Sequence, residues 1–359
     1  MNETPGALPG MPPMAPTAPM YAGAVNTGYS AQEINMQRAR EYLMKKSWPT
    51  GLAESMLETT KTVARRYFIV DDSMSMTIFD GKRVENTSRG PKVKKCCRWT
   101  ELSQAIAFHA EFADIAKAPT EFRLLNGAQP IILGEKEDDG ETLRIMSAIM
   151  ERGPRGATPL CRHINEVARQ IQRIAPELRA RHQIVVVTVF TDGEASDGTM
   201  STAMKRLEGL PVWTVVRLCT DEDKIVSYWN DIDNNVELEM DVLDDLFGEC
   251  EEVMSSNNWL TYGEPLHRFR EFGTPRKELD MLDEEKLGPD QMRATLAMLL
   301  GGNMSDYPHP GVDIKGLLEK VENELRHQPT VFSPRSKRMT KWVDVKKLSS
   351  AYGKGCVIM

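Results

Sequence analysis

Hydrophobic positions follow two alternating patterns between residues 65 and 255. Short apolar runs are separated by segments in which apolar residues recur every three or four positions. A short apolar run bounded by polar residues is typical of a buried strand, and the longer spacing is typical of an amphipathic helix. The alternation therefore predicts an α/β fold: a doubly wound, mostly parallel sheet with helices on both faces.

The individual elements can be predicted from the same pattern. The predicted strands, all short and apolar, are 65–70, two strands within 121–134, 184–190, 211–219 and 236–242. The predicted helices, with apolar residues on one face, are 100–118, 141–151, 158–179, 199–208, 223–233 and 243–253. The two strands of 121–134 are joined by a turn that contains Gly127, which indicates a hairpin.

The last predicted strand reads VELEMDV and alternates apolar with acidic residues. A period of two is typical of a strand with one buried and one wet face. The four apolar side chains of this segment are expected to be buried: Val236, Leu238, Met240 and Val242. The three acidic side chains are expected to be exposed: Glu237, Glu239 and Asp241.

Segments of different composition flank residues 65–255. Residues 1–29 are rich in Pro, Ala, Gly and Met and are predicted to be disordered. A short helical segment, 30–64, begins with SAQE, in which Ser30 and Glu33 form a capping box. Residues 256–330 are expected to form a helical extension, and residues 331–359 a basic tail.

Composition excludes several classes of protein. Hydrophobic residues make up 41% and charged residues 27%, which is typical of a globular protein with a sizeable core. The net charge of −7 gives no support for general nucleic-acid binding. No Lys or Arg precedes Arg38, and the six cysteines form no C-x-x-C pair. We therefore expect a cytoplasmic protein in a reducing compartment, without a secretion signal.

Polar clusters occur at strand ends or at an adjoining helix start. Asp71, Ser73 and Ser75 follow the first strand, Thr158 lies in RGATPL, and Asp192 follows the strand at 184–190. In an open α/β sheet, ligands bind outside the carboxyl ends of the strands. Carboxylates and hydroxyls are hard oxygen donors, so a site made of these residues suits Mg²⁺ or Mn²⁺.

The motifs D-x-S-x-S, G-x-T-P-L and T-D-G, in this order, resemble the von Willebrand factor A domain over residues 65–255. The resemblance implies that Asp71, Ser73, Ser75, Thr158 and Asp192 form a metal-ion-dependent adhesion site. It implies that the three hydroxyls bind the metal, that the two aspartates bind it directly or through water, and that a partner protein supplies an acidic residue. The function expected from it is non-enzymatic, metal-dependent protein binding.

The sequence departs from that family's pattern at two places. Met74 stands where the family usually has Gly, so the backbone of the loop must accommodate a side chain. Residues 77–99 also intervene between the motif and the next helix, and we expect them to form a hairpin beside the site.

Two other functions stay open. The Asp71–Asp72 pair after a strand invites comparison with Mg²⁺-dependent phosphohydrolases of the haloacid dehalogenase class, whose motif has a second aspartate where this chain has Ser73. The chain contains neither a P-loop nor a G-x-S-x-G motif. The remaining alternative is a structural scaffold with a vestigial metal site.

The sequence ends in CVIM, which resembles a farnesylation box with Cys356 as the modified residue. Residues 331–355 carry seven basic residues and one acidic residue, a net charge of +6. A lipid at Cys356 together with this basic segment predicts peripheral membrane association.

Overall fold

The computed structural model describes residues 30–88, 90–220 and 222–353. These ranges contain ten strands: β1 Val63–Val70, β2 Gly81–Thr87, β3 Gly90–Cys96, β4 Thr120–Leu124, β5 Ile131–Leu133, β6 Ile184–Thr191, β7 Val212–Leu218, β8 Met240–Leu243, β9 Val331–Ser333 and β10 Arg338–Thr340.

Thirteen α-helices lie in the same ranges. Those up to the end of the sheet are α1 Ala31–Lys45, α2 Thr50–Thr62, α3 Arg98–Ala116, α4 Glu141–Met150, α5 Leu160–Ala180, α6 Met200–Met204 and α7 Asp223–Asn235. Those that follow are α8 Leu246–Ser256, α9 Glu264–Glu271, α10 Lys277–Glu284, α11 Pro289–Leu300, α12 Pro310–Leu325 and α13 Val345–Tyr352.

Six strands form the central sheet, in the order β5-β4-β1-β6-β7-β8. All neighbours are parallel except β4 and β5, which form an antiparallel hairpin. From β1 the chain crosses to β4 on one side and later enters β6 on the other side, so the direction of winding reverses between β1 and β6. The predicted doubly wound α/β fold is confirmed.

Both faces of the sheet are covered by helices. Helices α5, α6 and α7 share one apolar cluster with the sheet, which includes Ile164, Val187 and Trp229. The other face packs against a larger cluster, which includes Phe68 of β1 and Phe112 of α3. Because both faces are buried, the central strands are almost continuously apolar rather than alternating.

Residues 77–99 contain the expected hairpin. Strands β2 and β3 pair along their full length, from Gly81 opposite Cys96 to Thr87 opposite Gly90. The hairpin is separate from the central sheet, and the side-chain amide of Gln104 on α3 donates a hydrogen bond to the carbonyl of Val84. The insertion therefore lies against the outside of α3.

The segments before and after the sheet share its larger apolar cluster. Leu52 of α2, Leu296 of α11, Val321 of α12 and Leu348 of α13 are all buried in the cluster that contains Phe68. The predicted capping box at the start of α1 is confirmed, with the Ser30 hydroxyl accepting from the Glu33 backbone N–H and the Glu33 carboxylate accepting from Ser30.

Residues 331–353, predicted to be a basic tail, form folded elements. Strands β9 and β10 form a short hairpin, α13 follows, and Trp342, Val343 and Leu348 are buried. The charged side chains of this segment face outward from a folded element. Residues 1–29, predicted to be disordered, and Cys356 lie outside the described residues.

The prediction for residues 236–242 is partly wrong. Strand β8 spans only Met240–Leu243, and Asp241 is buried rather than exposed. Its carboxylate accepts a hydrogen bond from the Arg270 guanidinium at 3.0 Å, and this ion pair stabilises a charge that the alternating pattern places in water. Glu237 and Glu239 are exposed, as expected. Of the four apolar residues expected to be buried, Met240 is buried, whereas Val236, Leu238 and Val242 are only half-buried.

Candidate metal site

The polar residues that follow β1 and β6 meet at one point of the sheet edge. Asp71 comes directly after β1, and Asp192 comes directly after β6. These adjacent parallel strands flank the point where the winding reverses, and the Asp71 backbone N–H donates to the carbonyl of Phe190 at 2.9 Å. A crevice at such a reversal is the usual ligand site of doubly wound sheets.

Hydrogen bonds join four of the five predicted site residues. The hydroxyls of Ser73 and Ser75 are 2.9 Å apart, and the Ser75 hydroxyl donates to Asp192 Oδ1 at 2.8 Å. Asp71 Oδ1 accepts from the Ser73 backbone N–H at 2.9 Å, and its Oδ2 accepts from the Thr191 hydroxyl at 2.7 Å. Asp71, Ser73 and Asp192 are buried, so the cluster is shielded from bulk water.

Thr158, the fifth residue, belongs to a neighbouring loop held by backbone hydrogen bonds. Its carbonyl accepts from the Ser196 N–H at 2.9 Å, and the nearby Gly156 carbonyl accepts from the Met74 N–H at 3.2 Å. No hydrogen bond joins the Thr158 side chain to another described residue. Its loop thus contacts both of the other loops, and its half-buried hydroxyl is left for a ligand.

Asp197 explains why the Thr158 loop lies here. The Asp197 carboxylate accepts from the backbone N–H groups of Cys161 at 3.0 Å and Arg162 at 2.8 Å, at the first turn of α5. A carboxylate at a helix N-terminus satisfies donors that have no partner within the helix and interacts favourably with the helix dipole. The loop after β6 is thereby fixed to the start of α5.

The donor set fits a hard divalent cation. In octahedral Mg²⁺ coordination with bonds of about 2.1 Å, neighbouring ligand oxygens are roughly 3.0 Å apart. The hydrogen-bonded oxygens are 2.9 Å apart between the serine hydroxyls and 2.8 Å apart between Ser75 and Asp192, so little movement would be needed to place them around one ion. Only oxygen atoms come from the predicted residues, which matches the ligand preference of Mg²⁺ and Mn²⁺.

The electrostatic state of Asp71 also favours a cation. Burial raises the pKa of Asp71 to about 6, although hydrogen bonds from Ser73 and Thr191 act in the opposite direction. The charge of Asp192 raises this pKa further. A buried carboxylate whose ionised form is disfavoured gains free energy when a positive charge approaches.

Met74 fits the loop without strain. Its residue lies in a single 3₁₀ turn, Met74–Thr77, and it is not among the non-glycine residues with positive φ. The side chain is 57% exposed. The glycine usual at this position in the resembling family is therefore not required by the backbone of this loop.

Arg98 is a site residue that the sequence analysis missed. This buried first residue of α3 donates from Nη1 to Asp192 Oδ2 at 3.0 Å, and the same guanidinium also pairs with Asp80 and Glu222. Burial alone would lower the pKa of Arg98, but these hydrogen bonds raise it above its usual value. The site therefore contains a permanent positive charge beside one of its two aspartates.

Asp72 does not belong to this cluster. Its Oδ1 accepts from the backbone N–H of Asn126 at 2.8 Å and from the Asn126 side chain at 3.0 Å. These bonds fix the loop after β4 to the loop after β1. Asp72 therefore has a structural role in this arrangement, and the vicinal aspartates do not act as a pair.

A second group of carboxylates lies elsewhere in the described part of the chain. Oxygen atoms of Glu249, Glu252 and Asp283 lie within 4.8 Å of one another. The Arg270 guanidinium contacts both Glu249 and Asp283, so two of these acids already belong to an ion-pair network. This group shares no residue with the predicted site.

No protein-family model matches the chain, and no curated protein matches it. Within the described ranges, no helix has both the length and the apolar character needed to cross a lipid bilayer.

Proposed function

We propose that this protein is a non-enzymatic binding protein that holds Mg²⁺ or Mn²⁺ with Asp71, Ser73, Ser75, Thr158 and Asp192 and binds an acidic residue of a partner protein. The observation that carries the proposal is the hydrogen-bonded series Ser73, Ser75 and Asp192 at the reversal between β1 and β6. When bound, the cation would supply an open coordination position for the partner's carboxylate.

The roles of the residues follow from their surroundings. The serine and threonine hydroxyls are neutral ligands, so they leave the cation short of negative charge. Asp71 is held by two hydrogen bonds that fix its carboxylate, and Asp192 is fixed by Ser75 on one oxygen and by Arg98 on the other. With a divalent cation bound, the ion, Asp71, Asp192 and Arg98 would together carry a formal charge of +1, which favours binding of an additional carboxylate.

Capture from the protein's own cell extract tests this proposal. The full chain is immobilised in Mg²⁺, and bound protein is eluted with EDTA. We expect a partner that elutes with chelator and is not retained by Asp71→Asn. Asp231→Asn, at an exposed position on α7, serves as the control and should retain the partner.

Two results, one from this capture experiment and one from a phosphoesterase assay, would contradict the proposal. Retention that persists in EDTA would favour a structural scaffold with a vestigial site. Magnesium-dependent turnover of phosphoesters that Asp71→Asn abolishes would favour a phosphohydrolase.

A further inference from the structure

A groove runs between the β2–β3 hairpin and the outer face of α3. Its first part has a volume of about 650 Å³ and is lined by Arg83–Asn86 of β2, by Trp99 and Ser103 of α3, and by Met150. A second part, of about 380 Å³, shares Asn86 and Gln104 with the first and reaches Lys46, Phe108 and Arg268. We refer to the two parts together as the hairpin groove.

Two lining residues of the hairpin groove are close in the chain to residues that contact the candidate metal site. Trp99 lines the groove and directly follows Arg98, whose guanidinium contacts Asp192. Gly153 also lines it and begins the loop that leads to Gly156, the residue bonded to Met74. A chain that places a carboxylate at the metal site can therefore continue into the groove.

The dimensions of the groove fit an extended peptide. Its lining on α3 extends from Trp99 to Glu111. The twelve residue-to-residue rises between these two positions span about 18 Å at 1.5 Å each. An extended segment rises about 3.3 Å per residue, so roughly five to six residues would cover this length.

Polar atoms without partners line the groove. Arg83 Nε, Ser103 Oγ and Arg268 Nε are buried and have no hydrogen-bond partner among the described residues. Arg268 as a whole is only 3% exposed. Each of these atoms can donate a hydrogen bond, so a ligand that brings acceptors would satisfy groups that the protein leaves unpaired.

The net charge of the hairpin also favours an acidic ligand. Residues 81–96 contain six basic residues and one acidic residue, a net charge of +5 in a chain whose net charge is −7. The single acid, Glu85, is already contacted by Arg83 and Lys94. Lys92 is exposed and forms no ion pair with another described residue. The lining of the groove is balanced, with four basic and four acidic side chains, so the excess positive charge beside it comes from the rest of the hairpin.

An exposed apolar surface lies between the metal site and the hairpin. Met74 is 57% exposed, Ile78 is 44% exposed and Phe79 is 69% exposed, all within seven residues of Ser73. Large exposed apolar side chains grouped in this way mark interaction surfaces. A ligand that follows the groove out of the metal site would meet apolar and cationic groups together.

We infer that the hairpin groove binds an extended, acidic segment of the partner protein, continuous with the carboxylate that the metal site receives. This inference rests on the proposed function and adds to it the chemistry of the partner. Acidic side chains face the basic hairpin, backbone carbonyls of the segment satisfy Arg83 and Ser103, and an apolar residue beside the metal-binding carboxylate packs on Phe79.

Selection of phage-displayed random peptides on the full chain in Mg²⁺ tests the inference. We expect the selected sequences to be enriched in Asp and Glu. A peptide is then synthesised from the enriched sequence, and its affinity is measured for two variants: the double variant Lys92→Gln/Lys94→Gln and the single variant Asn86→Trp. Each variant should bind the peptide about tenfold more weakly than the unaltered chain does. The second variant places a bulky side chain at the exposed position shared by both parts of the groove.

A matched control separates the groove from a general charge effect. Lys346→Gln/Lys347→Gln removes two exposed lysines from α13 and should leave peptide affinity unchanged. Selected peptides without acidic enrichment, no selected peptide at all, or equal affinity for all variants would overturn the inference. Vesicle binding tests the alternative of a membrane surface. If the chain binds no peptide, but binds phosphatidylcholine vesicles only when they contain phosphatidylserine and loses this binding in the hairpin variants, the inference is overturned in favour of a membrane surface.

Calorimetric titration of Mg²⁺ into the same proteins distinguishes the two proposals. If Mg²⁺ binds and Asp71→Asn abolishes that binding while the hairpin variants do not affect peptides, the metal site stands and the inference fails. If peptides require Lys92 and Lys94 but no Mg²⁺ binding is measured, the groove binds acidic segments and the proposed function fails.

Discussion

At the scale of single residues, Arg98 places a positive charge within the candidate site. Its guanidinium is buried against Asp192 and lies within the same cluster as the residues expected to bind a cation. Two unit charges several ångströms apart repel by a few kcal/mol at an effective dielectric of about 20. Arg98 therefore reduces cation affinity at the same time as it fixes Asp192.

Arg98→Gln should raise Mg²⁺ affinity by about tenfold, because the variant removes a positive charge and keeps a donor for Asp192. Calorimetric titration at constant ionic strength measures the change. Arg40→Gln, which alters an exposed ion pair on α1, is the control and should leave Mg²⁺ affinity unchanged. An unchanged or lower affinity in Arg98→Gln would show that Arg98 does not oppose the cation.

Asp280 gives the protein a pH dependence at neutral pH. Burial raises its pKa to about 7, and the charge of Asp241 raises it further. Because the folded-state pKa lies above the ordinary value of 3.8, the folded protein binds this proton more tightly than the unfolded chain. The ionised carboxylate therefore lowers the free energy of unfolding. This destabilisation is fully present above about pH 7 and disappears as the pH falls from 7 toward 4.

Asp280→Asn should accordingly stabilise the protein at pH 8 and have little effect at pH 4. Thermal melts of both proteins across this range give the comparison. A difference in melting temperature that does not change with pH would contradict the raised pKa. Asp290→Asn, a change at an exposed acid on α11, is the control.

At the scale of elements, a buried ion network fixes α9 to the sheet. Glu271 accepts from Arg268 at 2.8 Å, lies 3.2 Å from Arg217 of β7 and 2.9 Å from His109 of α3, and is fully buried. Burial would raise the pKa of Glu271, but Arg268 and His267 hold it well below its usual range. One carboxylate thus joins α9, β7 and α3.

Glu271→Gln should destabilise the protein by about 3–5 kcal/mol, because it removes a buried counter-charge that Arg217 and Arg268 share. Denaturant unfolding at pH 7 measures the loss. The same substitution at exposed Glu322 on α12 should cost less than about 0.5 kcal/mol. Equal midpoints for the two variants would mean that the network does not stabilise the fold.

The sequence predicts an element well where the local hydrophobic pattern determines which side chains are buried. It predicts poorly where a residue distant in the chain determines burial. The apolar run at 184–190 is buried on both faces, and its strand is found within one residue of the prediction. Asp241 follows an alternating pattern, yet it is buried because Arg270, 29 residues later, neutralises it. A local pattern contains no information about that arginine.

In the candidate site, too, local motifs could be predicted from the sequence and a contact with a distant residue could not. Four predicted residues are joined by hydrogen bonds because each follows a strand end, and strand ends of a parallel sheet are adjacent. Arg98 could not be predicted as a neighbour of Asp192, since it lies beyond a 16-residue hairpin, Gly81–Cys96, and begins a helix without a motif. The available signal was a basic residue at the start of the helix after the insertion.

At the scale of the whole molecule, the segments outside the sheet complete its core. The apolar cluster on one face includes Leu43 of α1, Leu299 of α11 and Tyr352 of α13 together with Phe68 of β1. The sequence did not indicate this for residues 331–353, because Val331, Trp342 and Leu348 are isolated among basic residues and form no periodic pattern. The candidate metal site therefore belongs to a sheet against which helices from both ends of the described chain pack.

The most direct test of the account is calorimetric titration of Mg²⁺ into the unaltered chain and into Asp71→Asn, Ser75→Ala and Asp231→Asn. The account predicts one Mg²⁺ per chain, binding abolished by Asp71→Asn, weakened by Ser75→Ala and unchanged by Asp231→Asn. Magnesium affinity that is equal in the unaltered chain and in Asp71→Asn would contradict the metal site, and with it the proposed function.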